Sequence, residues 1–558
     1  MSPSPRLLLV SDFNLDNLAG LLGQDPEAPA VEPVVAPFGQ AVQVLADGSL
    51  SCWDPVPAVC LVWTRPQAVL PAFARRLQGE AVGDEEILSE VDAYAELLLA
   101  AAGRVRLLLA CTWALPGWER GYGPLDLRPG IGLGHALLLA NLRLAERLAA
   151  EPRALVLDAR SWLEAVGDRA WSAKLWHLGR IPFHREVFLA AIRDLKAALR
   201  GLEGQVRKLV VVDLDDTLWG GILGEVGWEG LRVGGHDPVG EAYLELQRTL
   251  KALTRRGVLL AIASRNEEAL ALEALARHPE MALRPEDFAG WRIDWQDKAG
   301  NLADLLAELN LGPQAAVFLD DSPVERDRVR QAFPEVLVPE WPGDPSAGPA
   351  ILLGLRCFDV LRLSAEDRAR AGSYTAERQR RELRRQVPSL EGWLGSLGVQ
   401  VRPSPLAAGN AVRAAQLLSR TNQMTLTGRR ATEAELLTWT EVPGREAWTY
   451  QVSDRFGDSG LTGLACLESR GDRAELVEFC LSCRVIGRGI EEAMLHHLTG
   501  RVQALGLTAL RVCPVDTGRN QPCRELFARV FAATGESGVL EWRLPPVFPL
   551  PGHVRLEP

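Results

Sequence analysis

Fold and chemistry both depend on residues 208–221, which read Lys-Leu-Val-Val-Val-Asp-Leu-Asp-Asp-Thr-Leu-Trp-Gly-Gly. Residues 209–212 form an unbroken apolar, β-branched run, which predicts a strand buried on both faces of a parallel sheet. Asp213 and Asp215 follow where this strand ends, and the glycine pair lets the backbone turn sharply afterwards. Ligands of open α/β sheets bind at this carboxyl edge, so the two carboxylates mark a candidate site.

Two carboxylates this close repel each other unless a cation lies between them, and their hard oxygen atoms suit Mg²⁺. The alternative is an Asp-rich turn that caps the following helix. Residues 208–221 alone leave both interpretations open.

The composition limits the class of protein. With 558 residues the chain is too long for one hydrophobic core, so several domains are expected. Its 47% hydrophobic and 24% charged residues are typical of a globular protein. A net charge of −11 argues against non-specific nucleic-acid binding and requires any acidic partner to find a local basic patch.

We also expect a cytoplasmic protein that does not enter a membrane. No apolar run approaches the ~18 residues of a membrane span. Polar Ser11-Asp12 follows the first apolar residues too soon for a signal peptide. The nine cysteines are scattered, which fits a reducing compartment better than a disulfide framework.

Residues 1–203 predict an α/β domain. Apolar runs at 6–10, 58–63 and 105–110 indicate strands, and helical periodicity covers 85–99 and 135–148. Ser11 to Asn14 and Asn141 loosely resemble SGNH-type esterase folds, which carry a serine near the first strand. The Gly-Asp-Ser turn of that nucleophile is absent, so a scaffold or docking role is the better prediction. The aromatic segment 171–184, with His177 and His184, is interpreted as domain packing.

Residues 204–345 alternate strands and helices, with polar side chains at four consecutive strand ends. These are Asp213 and Asp215, Ser264, Lys298, and Asp320 with Asp321. Each alone has a simple alternative: a helix cap, a surface lysine or an acidic turn. Together and in this order they resemble the four motifs of the haloacid-dehalogenase-like (HAD-like) phosphotransferases, which have a doubly wound parallel sheet.

That resemblance implies a role for each matching residue. Asp213 would be the nucleophile and Asp215 the general acid/base. The phosphate contacts would be Thr217, Ser264, Arg265, Asn266 and Lys298. The Mg²⁺ site would be formed by Asp213, the Asp215 carbonyl, Asp320 and Asp321.

Residues 346–389 predict a helical linker. Arginines cluster at 378–385, and a solvated helix face is the simplest interpretation. A docking site for an acidic carrier protein is the alternative.

Residues 390–558 predict an α+β domain with strands at 447–452, 461–468 and 474–481, and a loop at 454–460 between the first two. Arg484, Gly487 and Gly489 then lie at a strand-to-helix junction. This pattern resembles the pyrophosphate loop of acyl-CoA N-acetyltransferase (GNAT-like) folds, whose backbone N–H groups face an anion. Cys483 precedes Arg484 and a helix N-terminus, which predicts a lowered pKa and a nucleophilic thiol. Cys480 and Cys483 form a Cys-x-x-Cys pair, but no second Cys or His pair lies at ligand spacing, so a zinc site is not expected.

The combination resembles the FkbH-like family of glyceryl transferase/phosphatases in polyketide biosynthesis. Its further motifs are Pro37-Phe38-Gly39-Gln40, residues 217–225, Gln416-Leu417, Thr421-Asn422-Gln423 and residues 482–491. The sequence departs from the family at Asp216, where Asn is expected, and at Met424, where Phe is expected.

The resemblance implies 1,3-bisphosphoglycerate as substrate, Mg²⁺ as cofactor and the phosphopantetheine arm of an acyl carrier protein as acceptor. Cys483 would form a thioester and the Asp213 centre would remove the remaining phosphate. Two other functions stay open. One is a Mg²⁺ phosphatase with an inert GNAT-like domain, and the other is a non-enzymatic scaffold that docks carrier proteins.

Overall fold

The computed structural model describes residues 4–119, 121–363 and 365–557, which form three β-sheets flanked by helices. The multidomain α/β class predicted from the sequence is confirmed. Within these residues, no helix combines the length and the apolar character that crossing a bilayer requires.

The first sheet is parallel and has the order β2-β1-β3-β4-β5. Its strands are β1 Arg6–Ser11, β2 Glu32–Val35, β3 Val59–Trp63, β4 Leu107–Cys111 and β5 Ala154–Leu157. Its helices are α1 Asp16–Gln24, α2 Ala41–Ala46, α3 Pro66–Val69, α4 Pro71–Leu77, α5 Asp84–Ala102, α6 Leu133–Leu148, α7 Ala159–Val166, α8 Ala173–Gly179 and α9 Arg185–Glu203. Alternate residues of β1 enter two separate cores, because successive side chains of a strand point to opposite faces.

The polar residues of this domain serve its own structure. Ser11 Oγ accepts a hydrogen bond from the Phe13 N–H at 3.0 Å. Asn141 makes two hydrogen bonds, of 2.7 and 2.9 Å, to the backbone of Trp113. The aromatic segment 171–184 was wrongly assigned to domain packing, because Phe183 stacks on Trp63 inside the first domain, with ring centroids 5.0 Å apart.

The second sheet is also parallel, with the order β8-β7-β6-β9. Its strands are β6 Leu209–Val212, β7 Leu259–Ser264, β8 Gly290–Ile293 and β9 Ala316–Leu319. Its helices are α10 Leu223–Val226, α11 Pro238–Arg255, α12 Glu268–Arg277, α13 Lys298–Glu308, α14 Pro323–Ala332 and α15 Gly348–Gly354. Helix α13 starts at Lys298, and Asp297 caps it by accepting from the Gly300 N–H at 3.1 Å.

Helices α16 Ala365–Gln386 and α17 Leu390–Leu397 link the second domain to the third. The solvated-face interpretation of the arginine cluster on α16 holds for Arg384, which is exposed, but fails for Arg378 and Arg380. Arg378 donates to the backbone carbonyls of Pro285 and Phe288, at 2.8 and 2.6 Å. Arg380 is buried and forms a two-pronged ion pair with Asp454 of the third domain. These side chains hold the second and third domains together instead of facing solvent or a partner.

The third sheet is mixed, with the order β15-β16-β14-β13-β12-β11-β10-β17. Its strands are β10 Val399–Pro405, β11 Arg445–Asp454, β12 Gly457–Arg470, β13 Arg473–Leu481, β14 Ala509–Val512, β15 Ala532–Ala533, β16 Leu540–Arg543 and β17 Val554–Leu556. Its helices are α18 Ala408–Arg420, α19 Glu433–Thr440, α20 Ile490–Ala504 and α21 Gln521–Val530. The loop predicted at 454–460 is shorter than expected, since Asp454 already pairs with Gly457 across a hairpin.

Candidate active site

Asp213 lies directly after β6, at the carboxyl edge of the second sheet, and is almost fully buried. Its Oδ2 atom is 2.8 Å from the Lys298 ammonium nitrogen. Its Oδ1 atom is also buried but has no hydrogen-bond partner. A buried carboxylate oxygen without a partner is costly, so this atom is available for a metal ion or a reacting group.

Lys298 is buried between two carboxylates, because α13 begins at this residue and directs it to the same edge. Its Nζ atom contacts Asp213 at 2.8 Å and Asp320 at 2.6 Å. Burial alone would lower the pKa of Lys298, but the charges of Asp213 and Asp320 outweigh it and raise that pKa. The lysine therefore stays protonated and supplies a fixed positive charge.

Asp320 and Asp321 follow β9 beside Asp213. One carboxylate oxygen from each of the three residues lies within 4.8 Å of the others, a suitable separation for a shared cation. Burial, followed by the negative charge of Asp213, raises the pKa of Asp320 to about 7. The same two causes raise the pKa of Asp321. Thr217 is bound into this group, since its Oγ1 donates to Asp321 Oδ1 at 3.1 Å.

The donor set fits Mg²⁺, because all its atoms are carboxylate oxygens that lie close enough to share one cation. The carboxylate of Asp215 is not in this group, and the resemblance had assigned only the carbonyl of Asp215 to the metal. Its Oδ1 accepts from the Trp219 indole at 2.8 Å, and its Oδ2 accepts from Asn266 at 2.9 Å. Only the carbonyl of Asp215 remains as a donor to a metal.

Asp215 is held as a half-buried carboxyl beside the Asp213 group. Burial, the largest effect, raises its pKa, although the hydrogen bonds from Trp219, Leu223 and Asn266 oppose this. A carboxyl that gains a proton readily suits general acid chemistry. Sequence reasoning missed the Trp219 contact, which the Asp-to-Trp spacing within residues 208–221 could have suggested.

The residues after β7 occupy different positions from those expected. Ser264 is buried at the strand end, close to the carboxyl edge. Neither Ser264 nor Asn266 caps the next helix, which begins at Glu268 without a side-chain cap. Asn266 is bound to Asp215 instead, and Arg265 forms an ion pair with Glu325 at 3.1 Å. Arg265 is therefore already partnered where the sequence predicted a phosphate contact.

The loop between β13 and α20 carries the second set of candidate residues. Gly487 and Gly489 have φ angles of 78° and 80°, which glycine adopts without strain. The Gly487 N–H, however, donates to the buried Glu491 carboxylate at 2.8 Å. The expectation that this N–H faces a bound anion was wrong, since an internal carboxylate takes that position.

Arg484 and Cys483 lie on the same loop. Arg484 lines an interdomain cavity of about 550 Å³ whose other walls include Tyr374, Arg380 and Phe456. The side chain of Cys483 lies outside the part of the chain that the structure describes, so its predicted nucleophilic role stays a prediction.

The loop and the Asp213 group lie at opposite edges of the second sheet. Arg488 ties the loop to α16 through a 2.6 Å contact with Glu377. Helix α16 in turn crosses the amino ends of β7 and β8, where Arg370 donates to the Gly257 carbonyl. Ser264 is at the other end of β7, and six residues of strand span about 20 Å. The two candidate sites therefore share no cavity in this conformation.

Comparisons with known proteins bear on the fold. No protein-family model matches the chain, and neither does any curated protein. The N-terminal part of the protein BF1531 from Bacteroides fragilis, which contains a phosphatase domain and was crystallised with Mg, is 23% identical. The match covers 64% of this chain and 95% of that one, with a TM-score of 0.58. It shows a shared fold over that region.

Two acetyltransferase structures match a shorter region. The PaiA N-acetyltransferase from Thermoplasma acidophilum, in complex with coenzyme A, is 14% identical over 26% of this chain and 99% of that one, with a TM-score of 0.22. The ribosomal-protein-S18-alanine N-acetyltransferase from Escherichia coli is 14% identical, and the match covers 26% of this chain and 93% of that one, with a TM-score of 0.20. Scores this low carry no argument about the third domain.

Proposed function

We propose that the Asp213 group is the active site of a Mg²⁺-dependent phosphatase of the HAD-like type. The observation that carries this proposal is Asp213 Oδ1, a buried oxygen without a hydrogen-bond partner beside the Lys298 ammonium. Such an oxygen is oriented by its neighbours yet free to attack phosphorus.

The side chains have separate tasks in this reaction. Asp213 Oδ1 attacks the phosphorus atom, and the bond from phosphorus to the ester oxygen breaks. Asp215 gives its proton to that leaving oxygen, and in the second half-reaction it takes one from the attacking water. Water then cleaves the phosphoaspartate, which releases phosphate and restores Asp213. Lys298 provides positive charge throughout.

Asp213, Asp320 and Asp321 would hold Mg²⁺, which supplies positive charge against the negative charge of the phosphoryl group. The crystallisation of the BF1531 phosphatase domain with Mg supports this assignment.

We further propose that the whole chain has the activity of the FkbH-like family that its sequence resembles. Cys483 thiolate attacks the acyl carbon of 1,3-bisphosphoglycerate, the carbon–oxygen bond breaks, and phosphate leaves. The carrier-protein thiol then displaces Cys483 and receives the acyl group. Because the loop and the Asp213 group lie at opposite edges, the acyl group has to travel between them before or after its phosphate ester is cleaved.

A Mg²⁺ phosphatase with an inert third domain is the second candidate. The observation that favours it is the 2.8 Å hydrogen bond that the Gly487 N–H donates to the Glu491 carboxylate. A loop closed by its own carboxylate is a poorer anion site than the sequence suggested.

The phosphatase proposal is tested by phosphate release from bisphosphoglycerate with and without Mg²⁺. Asp213→Asn should reduce the rate by about 10³-fold or more, since the nucleophile is lost. Asp216→Asn is the matched control, because it makes the same chemical change three residues away. The Asp216 carboxylate accepts a hydrogen bond from the Gly221 N–H and lies outside the Asp213 group. Undiminished release by Asp213→Asn would refute the proposal.

Acyl transfer is tested separately by intact-protein mass spectrometry after incubation with bisphosphoglycerate and Mg²⁺. A glyceryl or phosphoglyceryl adduct that maps to Cys483, and moves to an added carrier protein, supports the FkbH-like activity. Phosphate release without any adduct supports the second candidate. Loading of the carrier protein without either Asp213 or Cys483 would favour the scaffold.

A further inference from the structure

A groove lined with arginines separates the first domain from the second. It has a volume of about 800 Å³ and receives Arg193 and Arg200 from α9, Arg207 from the segment before β6, and Arg356 from the segment after α15. We propose that this interdomain groove binds a small organic polyanion, a molecule with two or more phosphate or carboxylate groups. The site is separate from the Asp213 group and does not depend on the proposed phosphatase activity.

The groove has more positive than negative charge. Among the described residues that line it, Glu27 is the one acidic side chain, and it pairs with Arg200 at 2.6 Å. Arg356 pairs with Asp194, which lies behind it on α9. Arg193 is exposed, and neither it nor Arg207 has a carboxylate partner among the described contacts. Two uncompensated guanidinium groups thus face one groove in a chain of net charge −11.

The guanidinium group of Arg207 is partly removed from water without a carboxylate among its described contacts. The described hydrogen bonds of its side chain all leave from Nη1 and run to backbone carbonyls, including that of Glu335 at 2.6 Å. Burial lowers the pKa of Arg207, and the nearby charge of Arg200 adds to this, although Cys357 acts in the opposite direction. Arg207 is half-buried and its described side-chain partners are neutral carbonyls, so an anion in the groove would supply a partner of opposite charge.

Arg356 gives an independent indication. Its φ angle is 49°, a left-handed conformation that a long side chain adopts only when the surroundings enforce it. The strained backbone places this arginine in the groove wall. Strain of this kind is concentrated at ligand sites.

The size and the side chains define the ligand class. Small-molecule sites usually measure about 300–1,000 Å³, a range that includes this groove. The planar guanidinium group binds phosphate or carboxylate through two parallel hydrogen bonds. Since Arg193 and Arg207 belong to different domains, one ligand with at least two anionic groups would hold the domains together.

The groove also lies on the amino side of the second sheet. Arg207 precedes β6 and Gln314 precedes β9, whereas Asp213 and Asp320 follow these strands. A ligand in the groove therefore cannot touch the catalytic carboxylates, and binding there is measurable apart from catalysis.

The test uses the full chain, stripped of metal on a chelating resin so that no soluble polycarboxylate is present and no metal assists binding at the Asp213 group, and inorganic pyrophosphate as the probe. Isothermal titration calorimetry at constant ionic strength should give saturable binding. Arg193→Glu should weaken that binding at least tenfold, and Arg193→Ala should weaken it less. The control Arg185→Glu, at the start of the same helix and exposed, should bind pyrophosphate as the native chain does.

Hydrogen exchange provides a second readout that does not depend on any variant. Pyrophosphate should slow exchange at residues 204–207 and 354–357, on both sides of the groove. The proposal is overturned if binding does not saturate, if Arg193→Glu binds as tightly as the native chain, or if Arg185→Glu weakens binding equally.

Discussion

The charge of Lys298 should be essential to the stability of the second domain when no metal is bound. The perturbation is Lys298→Met, which keeps the length of the side chain and removes its ammonium group. Lys298 is buried, with Asp213 and Asp320 at 2.8 and 2.6 Å, so its loss leaves two buried carboxylates facing each other without a counter-charge.

The structure sets the size of the effect. The carboxylate oxygens of this group lie within 4.8 Å of one another. At that separation two negative charges repel by roughly 3 kcal/mol at an effective dielectric constant of about 20. Removing one member of a buried charge pair costs about 3–5 kcal/mol in other proteins, which agrees with this value. Because Asp320 takes up a proton more readily once Lys298 is lost, this value is an upper limit, and we expect Lys298→Met to lower the free energy of opening the domain by up to about 3 kcal/mol above pH 7.

Native-state hydrogen exchange is the appropriate assay, because a chain of several domains does not unfold in one step. The amides of β6, adjacent to Asp213, report the free energy of opening in the second domain. The experiment is run with EDTA and again with saturating Mg²⁺, whose two positive charges should restore most of the lost stability.

The control is Lys251→Met. Lys251 pairs with Asp287 at 3.0 Å near the surface, and such pairs contribute at most about 1 kcal/mol. If the β6 amides exchange equally slowly in the native and the Lys298→Met protein with EDTA, Lys298 does not neutralise Asp213 and Asp320 and the reasoning is refuted. If Lys298→Met lowers the free energy of opening by the same amount with and without Mg²⁺, the assignment of a metal site to the Asp213 group is refuted.

Three further predictions concern other parts of the chain. Asp216 has a φ angle of 50°, so Asp216→Ala should cost about 1–2 kcal/mol, whereas Asp216→Asn should be nearly neutral; hydrogen exchange of the β6 amides distinguishes them. Arg380→Ala removes both charged hydrogen bonds to the buried Asp454 carboxylate, leaving Arg488 at 3.5 Å as its described cationic partner, and should make residues 386–390 cleavable by protease at concentrations that spare the native chain. Burial, with a smaller contribution from a nearby arginine, lowers the pKa of His497 to about 4. The unfolded chain then binds the extra proton, so stability should fall by up to about 3 kcal/mol between pH 6.5 and pH 4, and His497→Gln should abolish this slope.

The candidate site was predictable from sequence because its residues follow buried strands. Residues 209–212 and 316–319 are unbroken apolar runs, and such runs identify strands of a parallel sheet without any knowledge of distant contacts. Since the strands are parallel, the side chains that follow them meet at one edge. Asp213, Lys298 and Asp320 therefore came together as the spacing predicted.

The sequence-based predictions failed where a polar group had several possible hydrogen-bond partners. Asn266 could cap a helix or bind a carboxylate, and the local sequence is the same in both cases. Gly487 and Gly489 both adopt left-handed φ angles, but the local sequence did not show which acceptor the Gly487 N–H would find. That acceptor, Glu491, is four residues away and could equally have faced solvent.

The sequence by itself determined the α/β class and the acidic edge of the second sheet, because both follow from local patterns of apolar and polar residues. Only the tertiary structure decided that the arginines of α16 join two domains, that the loop at 482–491 lies across the sheet from Asp213, and that four arginines meet in one groove. These features depend on contacts between residues that are far apart in the chain. Their geometry is set by how whole domains pack, and no local pattern encodes it.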